Sequence, residues 1–165
     1  MTGGAMALDE RRTRAYFTLL EAGGLLQQLM EEQLRRDGDL SYLQFFLLAR
    51  LAEAPGGRMR MTDLADTLLH SRSGLSYQAA KLEKTGLLRR EPSQDDERSV
   101  TAIITREGRT LLEAVLPGHV ALVENGMFAA LDDHQADALA DALGAVRDRL
   151  RALAPSSAER RRGRT

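Results

Sequence analysis

Residues 71–108 restrict the fold more than any other segment, because a helical pattern changes there into a strand-like one within a few residues. The apolar residues of the first half recur at the spacing of one helix face: Leu75, Ala79 and Leu82. Either Ser71 or Ser73 can cap the start of this helix, since a serine hydroxyl accepts a hydrogen bond from a free backbone N–H there. Gly86 is typical of a helix end. The pattern therefore predicts one amphipathic helix that ends near Gly86.

The segment after Gly86 predicts a β-hairpin. Its two apolar runs, residues 87–91 and 100–104, no longer follow a helical period. Residues 93–99 between them are polar and too numerous for a two-residue turn, so we expect them to project from the sheet as a flap. A helix followed by such a hairpin predicts a wing.

A shorter helix is predicted just upstream, over residues 61–69, with Thr62 as its cap. Only residues 70–72 separate it from the next helix. Helix, tight turn, helix and hairpin together make a winged helix-turn-helix, in which the second helix enters the major groove of DNA and reads base edges. Five polar side chains of that helix are placed for this contact: Arg72, Ser76, Tyr77, Gln78 and Lys81.

Several short motifs follow one another in a specific order: Leu40-Ser41-Tyr42-Leu43-Gln44-Phe45, Leu64-Ala65, Ser71-Arg72-Ser73, Leu82-Glu83-Lys84-Thr85-Gly86-Leu87, Asp96-Glu97-Arg98 and Thr105-Arg106-Glu107-Gly108. Together they resemble the MarR family of transcriptional regulators, over residues 11–153. No single motif is decisive, but their order and spacing together are specific.

The resemblance implies a role for the wing. In the family, an Asp-x-Arg in the wing has its arginine reaching the DNA backbone or minor groove while the aspartate orients the guanidinium. Arg98 and Asp96 occupy those positions, and the negative potential of a narrow groove is a physical reason to want arginine there. The predicted DNA-contacting residues are Ser71, Arg72, Ser73, Ser76, Tyr77, Gln78, Lys81 and Arg98.

Long apolar stripes outside the winged helix-turn-helix predict three further helices, over residues 11–37, 105–127 and 132–153. They present more apolar surface than one small core can cover. We therefore expect them to bury those faces against a second copy in a two-fold dimer, which the resemblance also implies. Two recognition helices about 34 Å apart would then require an inverted-repeat operator.

The predicted fold class is mainly α with a small β-wing, a winged helix-turn-helix with long N- and C-terminal dimerisation helices. The predicted division is a disordered N-terminus (1–10), a helical dimerisation region (11–38 plus 110–153), a winged helix-turn-helix (39–109) and a basic flexible tail (154–165). The tail can contact phosphates or remain solvated.

Composition narrows the function. The 165 residues contain no cysteine, which excludes a thiol redox switch, and no apolar run long enough to cross a membrane. With no recognisable leader, we expect a cytoplasmic protein.

The net charge of -1 conceals a slightly basic segment 58–109, with ten Lys and Arg against eight Asp and Glu. This modest excess favours a shape-fitted DNA contact over a broad basic patch.

The sequence shows neither a catalytic motif nor a metal-ligand spacing among its three histidines, so we predict no enzyme, no metal and no cofactor. A small-molecule effector fits better, because members of the resembled family commonly bind aromatic or phenolic acids between the dimer helices and the DNA-binding unit. Six residues could line such a pocket, although any one of them taken alone is better explained as a core aromatic or a surface arginine: Arg14, Tyr16, Tyr42, Phe46, Arg50 and His119.

Two functions from different classes follow. The first is a homodimeric, ligand-responsive repressor. The second is a winged-helix module for protein–protein contact without DNA binding, which the acidic wing residues Asp95, Asp96 and Glu97 leave open. Sequence does not decide between a repressor and an activator.

Overall fold

The computed structural model describes residues 8–93 and 96–153, with the backbone alone for residues 96–98. This part of the chain forms helices α1 (Glu10–Gly38), α2 (Tyr42–Glu53), α3 (Met61–Thr67), α4 (Arg72–Lys84), α5 (Arg106–Gly126) and α6 (Asp133–Leu153), and strands β1 (Arg58–Arg60), β2 (Leu88–Ser93) and β3 (Asp96–Ile104). Short 3₁₀ turns occupy Pro55–Gly57 and Phe128–Ala130. The predicted fold class, mainly helical with a small wing, is confirmed.

The winged-helix unit, by which we mean α2 to α4 with β1 to β3, is built around an apolar core that Leu34 of α1 and Leu112 and Val115 of α5 also join. Its sheet has the order β1-β3-β2, and both pairings are antiparallel. The predicted buried face of α4 is confirmed, since Leu75 and Ala79 are fully buried and Leu82 nearly so. Side chains from α2, α3 and β2 complete the core: Leu47, Leu48, Leu51, Leu64 and Leu88. This unit positions α4 on the surface.

Local hydrogen bonds explain where the helices begin. Ser41 and Gln44 form a capping box at the start of α2. Ser71, not Ser73, caps α4 by accepting a hydrogen bond from the Gly74 backbone at 3.2 Å. The prediction that Thr62 caps α3 is wrong. Strand β1 ends at Arg60 and α3 begins at the next residue without a side-chain cap, so Thr62 already lies inside the helix.

The wing is paired closer to its tip than the sequence indicates. Residue Ser93 still belongs to β2 and Asp96 already belongs to β3, so most of the predicted 93–99 flap is strand. Pro92 lies opposite Val100, and the register shifts between Pro92 and Ser93. A proline is tolerated there because β2 is an edge strand. Residues 94–95 lie outside the described residues.

The end of α1 packs closely against α5. Gln33 is buried and donates hydrogen bonds to the Asp37 carboxylate at 2.8 Å and to the Val115 carbonyl at 3.4 Å. A Cβ added at Gly118 would lie 2.4 Å from Asp37 Oδ2, and one at Gly38 would lie 2.6 Å from Val115 Cγ2. Both glycines therefore allow the two helices to approach. This contact joins α1 and α5 to the core of the winged-helix unit.

The outer helices, by contrast, leave apolar faces uncovered. They comprise the first two thirds of α1, the second half of α5 and all of α6, and α6 has no buried residue. Their exposed large apolar side chains are Tyr16, Phe17, Leu19, Leu20, Leu25, Leu29, Leu116, Val120, Val146, Leu150 and Leu153. A single chain therefore does not bury the stripes that the sequence predicted.

Helix α1 begins at Glu10, one residue before the predicted start, and Asp9 caps it by accepting a hydrogen bond from the Arg12 backbone at 2.8 Å. The predictions for residues 1–7 and for the basic tail 154–165 lie outside the described residues.

Within the described ranges no single helix is long and apolar enough to cross a membrane. The pair 106–130 and 133–153 passes only when joined, and it is bent by 103°.

Candidate nucleic-acid interface

Helix α4 presents a polar face to solvent. The core holds the side of the helix that carries Leu75, so the opposite side is left free. Most of the side chains predicted to contact DNA are exposed: Ser71, Arg72, Ser73, Ser76, Tyr77 and Lys81. They span the helix from its N-cap to its last turn, which is the geometry needed for a helix that lies in a groove.

Tyr77 and Lys81 are one turn apart on this face and contact each other. The Lys81 ammonium lies 4.6 Å from the centre of the Tyr77 ring, a cation–π distance. The contact orders two long side chains before any partner arrives. It also keeps the tyrosine ring, which is 60% exposed, near a positive charge.

Gln78 differs from the other predicted contact residues because it is half-buried. Its Oε1 atom is inaccessible to solvent and has no hydrogen-bond partner in the described part of the chain. The side-chain amide therefore presents less of itself to a partner than Tyr77 or Lys81 does. Its predicted role in reading bases remains a prediction.

The only acidic side chain of α4, Glu83, is neutralised by Arg90 of β2. The Arg90 guanidinium donates to one Glu83 oxygen at 2.7 and 2.9 Å, and the Arg90 backbone N–H donates to the other at 2.9 Å. These hydrogen bonds lower the pKa of Glu83 below its ordinary value. The charge left exposed on α4 is therefore positive, and the same contact joins the helix to the wing.

The base of the wing carries a second ion-pair group, in which Glu91 lies between two arginines. Arg89 donates to it at 2.8 Å, and Arg58 reaches it from β1. The predicted wing contacts, Arg98 and Asp96, belong by their backbone to β3. Their side chains lie outside the described atoms, so their roles remain predictions.

Three of the six predicted pocket residues lie together. The Tyr42 and Phe46 rings contact each other in a tilted arrangement with centres 4.6 Å apart, and the His119 ring lies 6.2 Å from Phe46. Phe45, which the sequence prediction did not include, is closer to His119, at 4.6 Å. We refer to these four residues as the aromatic cluster. Phe45 belongs to the buried core, and its apolar spacing gave no sign of a second role.

His119 is the polar member of the aromatic cluster. Burial lowers the pKa of its imidazole, and its Nδ1 atom is inaccessible without a hydrogen-bond partner among the described residues. The ring is therefore favoured in its neutral form, packed on Phe45. The Nδ1 atom would have to become accessible before it could bind a polar group of a ligand.

The other three predicted pocket residues are not brought to the cluster within one chain. Arg50 is exposed and pairs with Glu53 at 2.8 Å. Arg14 and Tyr16 are exposed on α1, and roughly 25 Å of helix separates Arg14 from Glu31, by the rise of an α-helix. Glu31 marks the level of the cluster, since it accepts a hydrogen bond from the Tyr42 backbone at 2.6 Å.

Two open grooves lie elsewhere. One of about 460 Å³ runs along α1 between Gly24 and Arg35, and one of about 750 Å³ lies between the ends of α1 and α4 and the start of α2. Neither is lined by a member of the aromatic cluster. Within the described ranges, no group of three or more histidine, aspartate or glutamate side chains could hold a metal ion.

Comparison with known proteins gives a consistent result. A sequence model of the MarR family matches residues 38–99. The crystal structure of Sco3205, a MarR family transcriptional regulator from Streptomyces coelicolor in complex with DNA, is 36% identical with a TM-score of 0.84, and the match covers 91% of this chain and 96% of that one. AbsC, a MarR family transcriptional regulator from the same organism, is 33% identical with a TM-score of 0.84, covering 90% and 99%. The repressor YetL of Bacillus subtilis is 24% identical over 143 residues, which cover 87% of this chain and 84% of YetL.

Proposed function

The chain belongs to the MarR family of transcriptional regulators, and on that premise we propose that it is a homodimeric repressor, which binds an inverted-repeat operator and leaves it when a small ligand binds. The observation that carries the DNA-binding part is the exposed face of α4. Its carboxylate is neutralised by Arg90, while Arg72 and Lys81 remain at the surface. A similar chain, Sco3205, was crystallised with DNA, which supports the same use of this face.

The dimer is supported by the uncovered apolar faces of α1, α5 and α6. A second copy can cover them by a two-fold arrangement, because the same patch then meets itself. Such a dimer places its two α4 helices on one side of a duplex, about one helical turn or roughly 34 Å apart. The matching DNA sequence is an inverted repeat.

The direct test measures binding of the purified protein to promoter fragments beside its own gene by fluorescence anisotropy. We expect tight binding to one fragment, with an affinity that falls steeply as salt rises. Binding releases cations from the DNA phosphates, and this release becomes less favourable at a higher salt concentration. Weak binding of equal strength to all fragments would contradict the proposal. It would favour the alternative, a winged-helix module that contacts another protein.

Single substitutions separate contacts that position the protein on the DNA backbone from contacts that read the bases. Arg98→Ala should weaken binding to every fragment, because a wing contact to the backbone positions the protein. Lys81→Ala or Gln78→Ala should also reduce the preference for the operator over unrelated DNA. Arg151→Ala on α6 is the matched control and should bind like the parent. Parent-like binding of Arg98→Ala would show that the wing assignment is wrong.

Ligand release is supported by the aromatic cluster, in which Phe45 and Phe46 pack on His119 and Tyr42 packs on Phe46. A thermal-shift screen of phenolic and aromatic acids tests it, since a ligand that binds the folded state raises the melting temperature. A compound that does so should release operator DNA, and His119→Ala should reduce both effects. If none of the acids stabilises the protein, this part of the proposal fails while DNA binding stands.

A further inference from the structure

Leu69, in the turn between α3 and α4, combines two unfavourable properties. Its backbone has φ +54°, a left-handed conformation that L-residues other than Asn and Asp rarely adopt. In the described part of the chain only one other non-glycine residue, Asp39, has a positive φ, and aspartate tolerates it. Leu69 is also 71% exposed, more than any other large apolar side chain there.

The turn itself requires the left-handed backbone but not a leucine. Helix α3 ends with a hydrogen bond from the His70 N–H to the Ala65 carbonyl at 3.0 Å, as in a Schellman motif. The left-handed residue of that motif is usually glycine, which has no Cβ to clash. A leucine here adds backbone strain and buries little apolar surface. The fold of one chain therefore does not explain it.

The position of Leu69 suggests an explanation in the complex. It lies two residues before Ser71, which caps α4, and three before Arg72. The first residues of the second helix are the ones that face base edges when a helix-turn-helix docks in the major groove. An apolar group at this place meets the groove, not the protein core.

We propose that Leu69 is a specificity-determining residue that contacts the 5-methyl group of a thymine in each half of the operator. This inference rests on the proposed DNA-binding function and adds a residue that polar patterning did not find. The thymine C5-methyl is the only methyl group that the base pairs present in the major groove, where the other recognition groups are hydrogen-bond donors and acceptors. A leucine cannot pair with those, so it favours thymine at one position.

The experiment removes the thymine methyl group from the DNA and, separately, the leucine side chain from the protein. The tightest duplex selected by the parent protein is synthesised with single thymine-to-uracil changes, made in both half-sites, and uracil differs only by lacking the methyl group. We expect one such change to weaken binding of the parent by roughly fourfold per half-site, the worth of one buried methyl group. L69G and L69N, which both fit the left-handed backbone, should bind the parent duplex more weakly and be insensitive to that uracil.

Two further measurements, the melting temperature of L69G and the selection of a duplex by the parent, separate failure of this inference from failure of the proposed function. The melting temperature of L69G should equal or exceed that of the parent, because glycine relieves the strain; a clear decrease would show that Leu69 packs in the folded chain and would overturn the inference. Equal uracil sensitivity of parent and variants, or none in the parent, would also overturn it. Failure of the parent itself to select any duplex would instead reject the proposed function.

Discussion

The winged-helix unit and the outer helices have similar amphipathic patterns but opposite burial. In the unit, leucines such as Leu47, Leu64 and Leu75 have no exposed surface. In α6, leucines at the same helical spacing are all at least partly exposed, and Leu150 is 59% exposed. Periodicity alone therefore predicts that a helix has an apolar face but not which chain covers it. The difference supports the proposed dimer, because within one chain the outer helices leave their apolar faces uncovered.

The largest expected effect comes from placing a charge on the uncovered face. Leu150→Glu should abolish the dimer, because two-fold symmetry puts the change into the interface twice and each copy also loses the burial of a leucine. We expect the dimer to lose roughly 3–6 kcal/mol, from about 1.5–3 kcal/mol for each of the two buried leucines. Sedimentation equilibrium of the parent and the variant measures this loss.

Ala152→Glu is the matched control for that change. It introduces the same charge two residues away, on the opposite face of α6, and should leave the dimer intact. If Leu150→Glu sediments like the parent, the exposed stripe of α6 is not the dimer surface. The contrast between the two regions would then need a different explanation.

The second prediction sharpens the comparison within a monomer. In a Leu150→Glu background, Leu75→Ala should still destabilise the winged-helix unit by about 3 kcal/mol, because it leaves a cavity in a closed core. Leu20→Ala, at a position 53% exposed on α1, should cost less than about 0.5 kcal/mol in the same background. Urea unfolding measures both changes. Similar losses for the two variants would show that the outer helices have a core of their own.

The sequence predicted the positions of α1, α3, α4, α5 and α6 and the buried face of α4, because these depend on local spacing and on side chains near in sequence. It misassigned the cap of α3 and underestimated the extent of the wing strands, because pairing with β3 sets where β1 ends and how far the wing strands run. It also left the pocket unresolved, since contacts such as Phe45 with His119 join residues far apart in the chain.

The spacing of apolar residues also does not reveal where two helices approach closely. The third prediction concerns such a place, Gly118 on α5. An alanine there would place its Cβ 2.4 Å from Asp37 Oδ2, at the contact that joins the outer helices to the winged-helix unit. We expect a loss of about 2 kcal/mol from this overpacking. Gly144→Ala in α6, where nothing lies within 4 Å, should instead stabilise by about 0.5–1 kcal/mol through helix propensity. Thermal unfolding distinguishes the two signs, and a neutral Gly118→Ala would show that α1 and α5 can move apart without cost.

The smallest expected effect concerns the contact between α4 and the wing, inside the winged-helix unit. Glu83→Gln should cost about 1 kcal/mol at neutral pH, because it removes a charge-assisted contact that is about one-third exposed and so partly screened. The Arg90 hydrogen bonds lower the pKa of Glu83 in the folded chain, so the unfolded chain takes up the proton first. The stabilisation is therefore complete above the ordinary pKa of 4.5 and is lost as the pH falls from there through the lower folded pKa. Urea unfolding from pH 7 to pH 3 should show parent and Glu83→Gln converging, while Glu53→Gln, at a more exposed pair on α2, should match the parent throughout. A difference in unfolding free energy between parent and Glu83→Gln that stays constant across this range would mean that the pair with Arg90 does not hold α4 to the wing.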